Sequence, residues 1–205
     1  MSIVEASAVL VSSLSGWASE KAETRLKKLG VKIILNDGVI DVRDKAVSLK
    51  SGRLIDYDVL IWTAGVKASL LGLNTADVGL SKGLCIVVDE YLHIGEKTDV
   101  FAIGDIAYCK GFGNNPLPMT AQTAISQGQY VAYSIKRQLH DRKIFKYHPR
   151  KSRFIMPLGA RYALADLGLI KFSGFLAWLL KRVVALKYFL SILPIRKALR
   201  IYLYK

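Results

Sequence analysis

The sequence is poor in cysteine and histidine, with two cysteines and three histidines in 205 residues. Cys85 and Cys109 cannot build a disulfide framework, and they are not spaced as a CxxC pair. The histidines have no metal-ligand spacing with either cysteine, so no metal site is predicted. No signal-like apolar segment follows Met1, so secretion is not indicated and a reducing, cytosolic-side location is expected.

Acidic residues are scarce only in the last third of the chain. Residues 1–135 carry 13 Lys and Arg against 14 Asp and Glu, whereas residues 136–205 carry 17 against 2. The net charge of +14 therefore comes entirely from this last segment, which is also rich in Leu, Phe, Trp and Tyr. A segment that is both basic and apolar favours an anionic lipid surface over a nucleic acid, so no nucleic acid is predicted among the partners.

The tail also lacks an uncharged run long enough to span a membrane. Apolar residues recur at helical spacing over residues 172–190, but Lys181, Arg182 and Lys187 interrupt them. Pro194 should end this helix, and residues 195–204 then form a second short basic helix. We expect both helices to lie in the plane of a membrane surface. The alternative is that the apolar stripe packs on the protein's own core or on a second subunit in a homodimer.

The first sixty residues predict an alternation of strands and helices. A strand over residues 3–11, a helix over 18–29 ended by Gly30 and a strand over 31–35 form a βαβ pattern, which prefers a parallel sheet. Three short strands between residues 39 and 57 then predict a β-meander. With 52% hydrophobic residues the chain can bury a core, which excludes a disordered protein.

Later elements are predicted from apolar runs and from helix start signals. A helix should begin near Pro118 and Thr120 and end at the basic residues around Arg137. It is followed by a basic connector over residues 142–165, for which no regular structure is predicted. Strands covered on both faces are expected at three continuously apolar runs, residues 59–62, 85–88 and 100–103.

The most informative segment is TDVFAIGD, residues 98–105. Its apolar strand ends in Gly104 and Asp105, which places a small residue and a carboxylate acceptor where open α/β sheets bind ligands. From the residues alone, the alternative is a buried strand with an exposed aspartate at its end.

This segment resembles the second FAD motif of flavoproteins with two dinucleotide-binding domains. Residues 59–66 resemble the strand and turn where the nicotinamide domain of such proteins returns to the flavin domain. Residues 117–128 resemble the AQxAxQQG helix start of the type II NADH dehydrogenases, which are single-subunit NADH:quinone oxidoreductases. Because the three segments occur in the family's order and precede a basic amphipathic tail, the chain is similar to the C-terminal half of such an enzyme.

The resemblance implies an α/β fold, a partial Rossmann-like flavoprotein with two dinucleotide-binding domains, a β-meander and C-terminal amphipathic membrane-surface helices. Residues 1–60 would be the C-terminal part of the NADH-binding domain, 61–141 the C-terminal part of the FAD-binding domain, and 142–205 a membrane-association region. The sequence contains neither of the two Gly-rich phosphate loops of the family, so we expect a fragment that binds FAD weakly and turns over little on its own.

The resemblance also implies FAD as cofactor and NADH as substrate, with no catalytic acid or base. Asp105 would accept a hydrogen bond from a ribityl hydroxyl of FAD, and Glu5 would bind the adenosine ribose of NADH unless it is only a solvated strand-end charge. Quinone would meet Gln122, Ser126 and Gln127, with Ser126 standing where the family commonly has the first of two glutamines. The residues implied to bind FAD are Gly65, Ile103, Gly104, Asp105, Thr120, Ala121 and Gln122.

The function implied is FAD-dependent NADH:quinone oxidoreduction by a peripheral membrane protein on the cytoplasmic face. Its partners would be a membrane quinone and anionic lipid, as in a respiratory chain. Two alternatives stay open. One is a flavoprotein similar to sulfide:quinone reductase, in which Cys109 is the cysteine that could lie near the flavin. The other is a non-catalytic membrane-binding remnant.

Overall fold

The computed structural model describes residues 1–70, 78–81, 83–111, 115–149 and 153–203. They belong to two compact units. The first unit combines Met1–Ile61 with Lys151–Lys205, and the second is Trp62–Arg150. The first unit thus joins residues from both ends of the chain, while the three-part division expected along the sequence stays a prediction.

The first unit opens with a parallel βαβ arrangement, as predicted, although its first strand ends earlier than expected. Its elements are β1 (Ser2–Val4), α1 (Gly16–Lys28) and β2 (Lys32–Ile34), and β1 pairs in parallel with β2. Gly30 has φ +75° and donates its N–H to the Lys27 carbonyl at 2.9 Å, while the Val31 N–H reaches the Leu26 carbonyl at 3.0 Å. Because a residue with a side chain adopts this conformation only under strain, Gly30 is the residue that allows the chain to turn directly into β2.

The predicted β-meander is confirmed. Strands β3 (Val39–Arg43), β4 (Ala46–Leu49) and β5 (Leu54–Asp56) pair antiparallel in chain order. Val47 and Leu49 of β4 are buried with Ile34 of β2, so the meander shares a hydrophobic cluster with the βαβ arrangement.

The prediction of a buried strand over residues 59–62 is wrong. These residues form no strand, and the side chains of Ile61 and Trp62 are 76% and 58% exposed. An apolar run becomes a buried strand only where neighbouring strands take up its backbone hydrogen bonds. No described residue pairs with this run as a strand.

The second unit holds two small pairs of strands and a long helix. Strand β6 (Ile86–Val87) corresponds to the strand predicted over 85–88. The strand predicted over 100–103 instead spans Lys97–Phe101. Within the predicted run, Ala102 is buried, Phe101 and Ile103 are half-buried, and Val100 is 39% exposed. The other elements are β7 (His93–Ile94), β8 (Lys97–Phe101), a 3₁₀ turn (Gly104–Ile106), β9 (Ala107–Tyr108) and α2 (Ala121–Gln138). β6 pairs in parallel with β9, and β7 pairs antiparallel with β8.

A three-stranded antiparallel sheet lies within and just after the segment for which no structure was predicted. It consists of β10 (Phe154–Pro157), β11 (Ala163–Asp166) and β12 (Lys171–Gly174). All four residues of β11 are buried. Leu164 packs against Ala18 and Ala22 of α1, so the sheet is anchored on the βαβ arrangement.

The tail forms two helices broken at Pro194, as predicted. They are α3 (Phe175–Ile192) and α4 (Ile195–Leu203), while Tyr204 lies outside the described residues. Phe172, expected in the helical stripe, lies instead in β12. The Arg182 guanidinium stacks 4.4 Å from the centre of the Tyr202 ring and joins the two helices. Among the described residues, no helix has both the length and the apolar character needed to cross a bilayer.

Candidate functional site

The turn between β8 and β9 presents Asp105 to solvent. Gly104 has φ +72°, and a Cβ built on it would lie 3.5 Å from the Cβ of Ala124 in α2. The positive φ and this close approach both favour glycine. Asp105 is exposed, and no described residue donates a hydrogen bond to its carboxylate or forms an ion pair with it. The turn therefore offers an unengaged carboxylate acceptor.

The start of α2 lies one helical turn before this contact. Thr120 is the N-cap residue, and its Oγ1 accepts a hydrogen bond from the Thr123 N–H at 3.3 Å. Ala121 and Gln122 follow as exposed residues of the first turn, where the helix dipole favours negative charge. A Cβ built on Gly128 would lie 3.8 Å from Ile103 Cδ1. The structure thus packs residues 103–105 against the first two turns of α2.

Gln127 lies on the same side of α2 as Ala124, three residues earlier, and faces the Gly104 turn. Its side chain accepts a hydrogen bond through Oε1 from the Gly104 N–H at 2.7 Å, and the residue is 1% exposed. Its Nε2 is buried and has no partner within hydrogen-bond geometry among the described residues, although the amide lies close enough to the Cys109 thiol to lower the pKa of that thiol. The resemblance predicted a quinone contact here, and the link to Gly104 was missed. The sequence does contain a signal for it, because Gln127, Val131 and Ser134 are spaced as one helix face.

Ser126 has a neighbour that sequence reasoning also missed. The Tyr147 hydroxyl donates to Ser126 Oγ at 3.2 Å, and the Tyr147 ring meets the Tyr130 ring edge to face at 5.3 Å between centroids. A phenol hydroxyl therefore stands beside Ser126. Nothing in the local sequence links residue 147 to residue 126.

Both cysteines are buried, free thiols near the same turn. Cys85 Sγ lies 3.7 Å from the Asp105 carbonyl oxygen. Burial raises the pKa of the Cys109 thiol, and the nearby Gln127 amide offsets this only in part. Cys109 is therefore a protonated thiol at neutral pH. No cluster of three or more potential metal-binding side chains occurs in the part of the chain that the structure describes.

Glu5 lies in the first unit, directly after β1. Its Oε1 accepts the Ser7 N–H at 2.8 Å, which fixes the carboxylate at the carboxyl end of the strand. The Asn36 N–H donates to the Ser7 carbonyl at 3.0 Å, so the loops that follow β1 and β2 meet at this edge. This is the edge where parallel α/β sheets bind nucleotides. The nucleotide-binding role of Glu5 stays a prediction.

Gly65 has φ +92°, and a Cβ built on it would meet no atom within 4 Å. Its N–H donates to the Thr63 carbonyl at 2.9 Å. Among the described residues, no hydrogen bond joins Gly65 to the Gly104–Ile106 turn, and its role in binding FAD stays a prediction.

A sequence profile of the pyridine nucleotide-disulphide oxidoreductases matches residues 1–128. The chain belongs to this family. It is 33% identical over 202 residues to the type II NADH:quinone oxidoreductase Ndh of Mycobacterium tuberculosis, covering 92% of this chain and 42% of that protein. It is 30% identical to NdhA of the same organism, covering 82% of this chain and 37% of the relative. The predicted resemblance is thus confirmed, and the chain spans about two fifths of these relatives.

Solved structures share the fold. NDH2 from Plasmodium falciparum, in complex with NADH, matches 99% of this chain and 56% of its own with a TM-score of 0.82 and 16% identity. The sulfide:quinone oxidoreductase of Aquifex aeolicus matches 97% of this chain and 50% of its own with a TM-score of 0.74 and 16% identity. These likenesses confirm the predicted α/β oxidoreductase fold.

Proposed function

We propose that this chain contributes to an FAD-dependent NADH:quinone oxidoreductase. The observation that carries the proposal is the exposed, unengaged carboxylate of Asp105 on a glycine turn packed against the start of α2. The names of the curated relatives support the same activity. Because the chain spans less than half of those relatives, the complete activity remains a proposal.

The residues around the turn fit the sugar chain of FAD. Asp105 accepts a hydrogen bond from a ribityl hydroxyl, and Gly104 lets that chain approach the backbone. The first turn of α2 directs its free N–H groups and its positive dipole end towards negative charge on the flavin. When bound, FAD supplies hydride acceptance from NADH and two-electron delivery to a quinone. The full proposed set is Gly65, Ile103, Gly104, Asp105, Thr120, Ala121 and Gln122.

Glu5 and α2 supply the contacts to the two substrates. Glu5 binds the ribose diol of NADH at the carboxyl edge of β1, and its charge repels the extra phosphate of NADPH. Gln122 and Ser126 are four residues apart, so they share one face of α2 and meet the quinone there.

The tail binds an anionic membrane surface at the cytoplasmic face. In residues 153–203, nine Lys and Arg stand against a single acidic residue, Asp166. Leu169, at the tip between β11 and β12, is fully exposed. Apolar residues exposed beside these cations are Leu176, Leu179, Val183 and Leu190 of α3 and Ile195, Leu199 and Leu203 of α4. Such a combination favours lipid. A homodimer through the same face is the alternative, and sedimentation without lipid distinguishes it.

The alternative chemistry of a sulfide:quinone reductase is disfavoured by Cys109. That chemistry needs a reactive thiolate, whereas the Cys109 thiol is buried and its pKa is raised by burial. We therefore expect Cys109→Ser to retain NADH:quinone activity. Loss of activity in a folded Cys109→Ser variant would reopen the alternative.

Titration of the purified chain with FAD, followed by flavin fluorescence, tests the proposal. Asp105→Asn should weaken FAD binding by about tenfold or more, because a charged acceptor is lost. Asp99→Asn, six residues earlier on exposed β8, is the matched control and should bind FAD like the unaltered chain. NADH oxidation with a short-chain quinone is then measured on the same samples. An unaltered chain that binds no FAD contradicts the proposal.

A further inference from the structure

The Gly104–Ile106 turn is held from two sides by buried groups outside the proposed cofactor set. On one side, Gln127 Oε1 accepts the Gly104 N–H at 2.7 Å. On the other, the Cys85 thiol lies 3.7 Å from the carbonyl oxygen of Asp105. The backbone atoms on either side of the Asp105 side chain are thus engaged, while its carboxylate is exposed.

The Gln127 bond is the stronger of the two restraints. The Gly104 N–H of this half-buried residue takes the oxygen of the buried Gln127 side chain as its acceptor, and losing that acceptor would leave a partly shielded donor unpaired. Gln127 lies six residues, about one and two-thirds turns, inside the start of the 18-residue helix α2, so its backbone is well fixed. The hydrogen bond from the Gly104 N–H therefore fixes the turn relative to the rigid helix α2.

Burial separates Gln127 from the quinone contacts that the resemblance implied. The residue is 1% exposed, and its oxygen is already bonded to Gly104. Gln122, in contrast, is exposed at the start of the same helix. A side chain enclosed in this way cannot reach a quinone at the surface without leaving Gly104 unpaired.

We propose that Gln127 is a positioning residue, which holds the Gly104–Asp105 turn from behind so that the Asp105 carboxylate is preset for the ribityl hydroxyl of FAD. The contact between Asp105 and FAD rests on the proposed function, whereas the hydrogen bond by which Gln127 holds the turn is independent of it. Gln127 therefore governs cofactor affinity through Asp105 and makes no contact with the quinone.

Amide hydrogen exchange of the cofactor-free chain tests the hold on the turn. In the unaltered chain, the Gly104 amide should exchange at least about 100-fold more slowly than in an unstructured peptide, because it is hydrogen-bonded to the buried Gln127 side chain. Gln127→Met, which has a similar shape but no acceptor oxygen, should speed this exchange about tenfold or more. Gln127→Glu, which keeps an oxygen at the same reach, should restore part of the protection. Gln129→Met, on the exposed face of α2, is the control and should change nothing.

FAD titration of the same variants tests the link to the cofactor. Gln127→Met should weaken FAD binding about tenfold, Gln127→Glu by less, and Gln129→Met not at all. The KM for a short-chain quinone at saturating FAD should stay unchanged in all three variants.

Each result separates the inference from the proposed function. A fast-exchanging Gly104 amide in the unaltered chain overturns the hold on the turn without using any variant, which matters if Gln127→Met fails to fold. Faster exchange with unchanged FAD affinity overturns the positioning role, and so does a raised quinone KM with unchanged FAD affinity. An unaltered chain that binds no FAD defeats the proposed function, and with it the cofactor link, while the exchange data still decide whether Gln127 holds the turn.

Discussion

Helices α2 and α3 each have 18 residues, but they differ in which side chains they bury and how many. α2 follows the Thr120 cap and buries Gln127, Val131 and Ser134, two of which are polar. α3 begins at Phe175 after the N-cap residue Gly174, which provides no side-chain cap. It buries only Ala177, while eight of its large apolar side chains are exposed. The two helices therefore have different surroundings. One face of α2 is covered by the rest of the protein, whereas most of the apolar surface of α3 is exposed.

The largest effect should come from placing a charge on the exposed apolar face of α3. Val183 is 54% exposed, so Val183→Asp should leave the fold intact. A carboxylate carried into lipid costs about 3 kcal/mol, so binding to anionic vesicles should weaken roughly 100-fold. Vesicle co-sedimentation at fixed salt measures the change.

Val42→Asp makes the same substitution at a valine of β3 that is 45% exposed. This control should lower vesicle binding only slightly, through its negative charge. If Val183→Asp and Val42→Asp weaken binding equally, the exposed face of α3 has no special contact with lipid.

The second-largest effect should come from removing the side-chain cap that α2 has and α3 lacks. Thr120→Ala removes the capping oxygen of α2 and should lower the free energy of unfolding by about 1 kcal/mol. Denaturant unfolding followed by circular dichroism measures the loss. Thr24→Ala in the middle of α1, where the hydroxyl bonds the Glu20 carbonyl within the helix, is the control and should be nearly neutral. Equal losses would mean that the Thr120 cap contributes nothing beyond an ordinary threonine.

The smallest effect should come from the carboxylate of Asp166 in β11, the central strand of the sheet on which α3 packs. The Gly168 N–H, the Lys171 ammonium and the Ser15 hydroxyl hold the pKa of Asp166 below its ordinary value. Because the folded-state pKa is lowered, this stabilisation is fully present above the unfolded value of about 3.9 and is lost as the pH falls through the folded value.

Asp166→Asn should therefore unfold at lower denaturant concentration than the unaltered chain at pH 7. The gap between the two midpoints should shrink as the pH falls below about 4. Midpoints measured between pH 7 and pH 3 check this, with Asp58→Asn, an exposed carboxylate after β5, as the control. A gap that does not depend on pH would assign the effect of Asp166→Asn to lost packing.

Structure encoded by neighbouring residues was predictable, and structure that depends on distant partners was not. Gly30 and the β-meander follow from local backbone preferences and turns. Residues 59–62 have the composition of a buried strand, but composition does not supply pairing partners. Strand β11 was missed because its sequence, ALAD, neither alternates nor contains β-branched residues, and its burial comes from α1 and α3.

The candidate site shows the same division. Gly104 and Asp105 were found because their local motif carries the chemistry. The role of Gln127 towards Gly104 was missed because its polar side chain indicates an exposed position, and its acceptor function depends on a residue 23 positions earlier. The Tyr147 hydroxyl beside Ser126 is likewise a product of tertiary packing, since 21 positions separate the two residues.

Because both thiols are buried, their reaction with a reagent in solution measures how often the surrounding structure opens. Cys85 and Cys109 are the two cysteines of the sequence, and each is less than a tenth exposed. Alkylating reagents therefore react slowly with the folded chain and quickly once the second unit opens. The labelling rate then measures the rate of that opening. A cysteine introduced at the exposed residue Leu169 would react much faster than the two native thiols and could carry a spectroscopic probe.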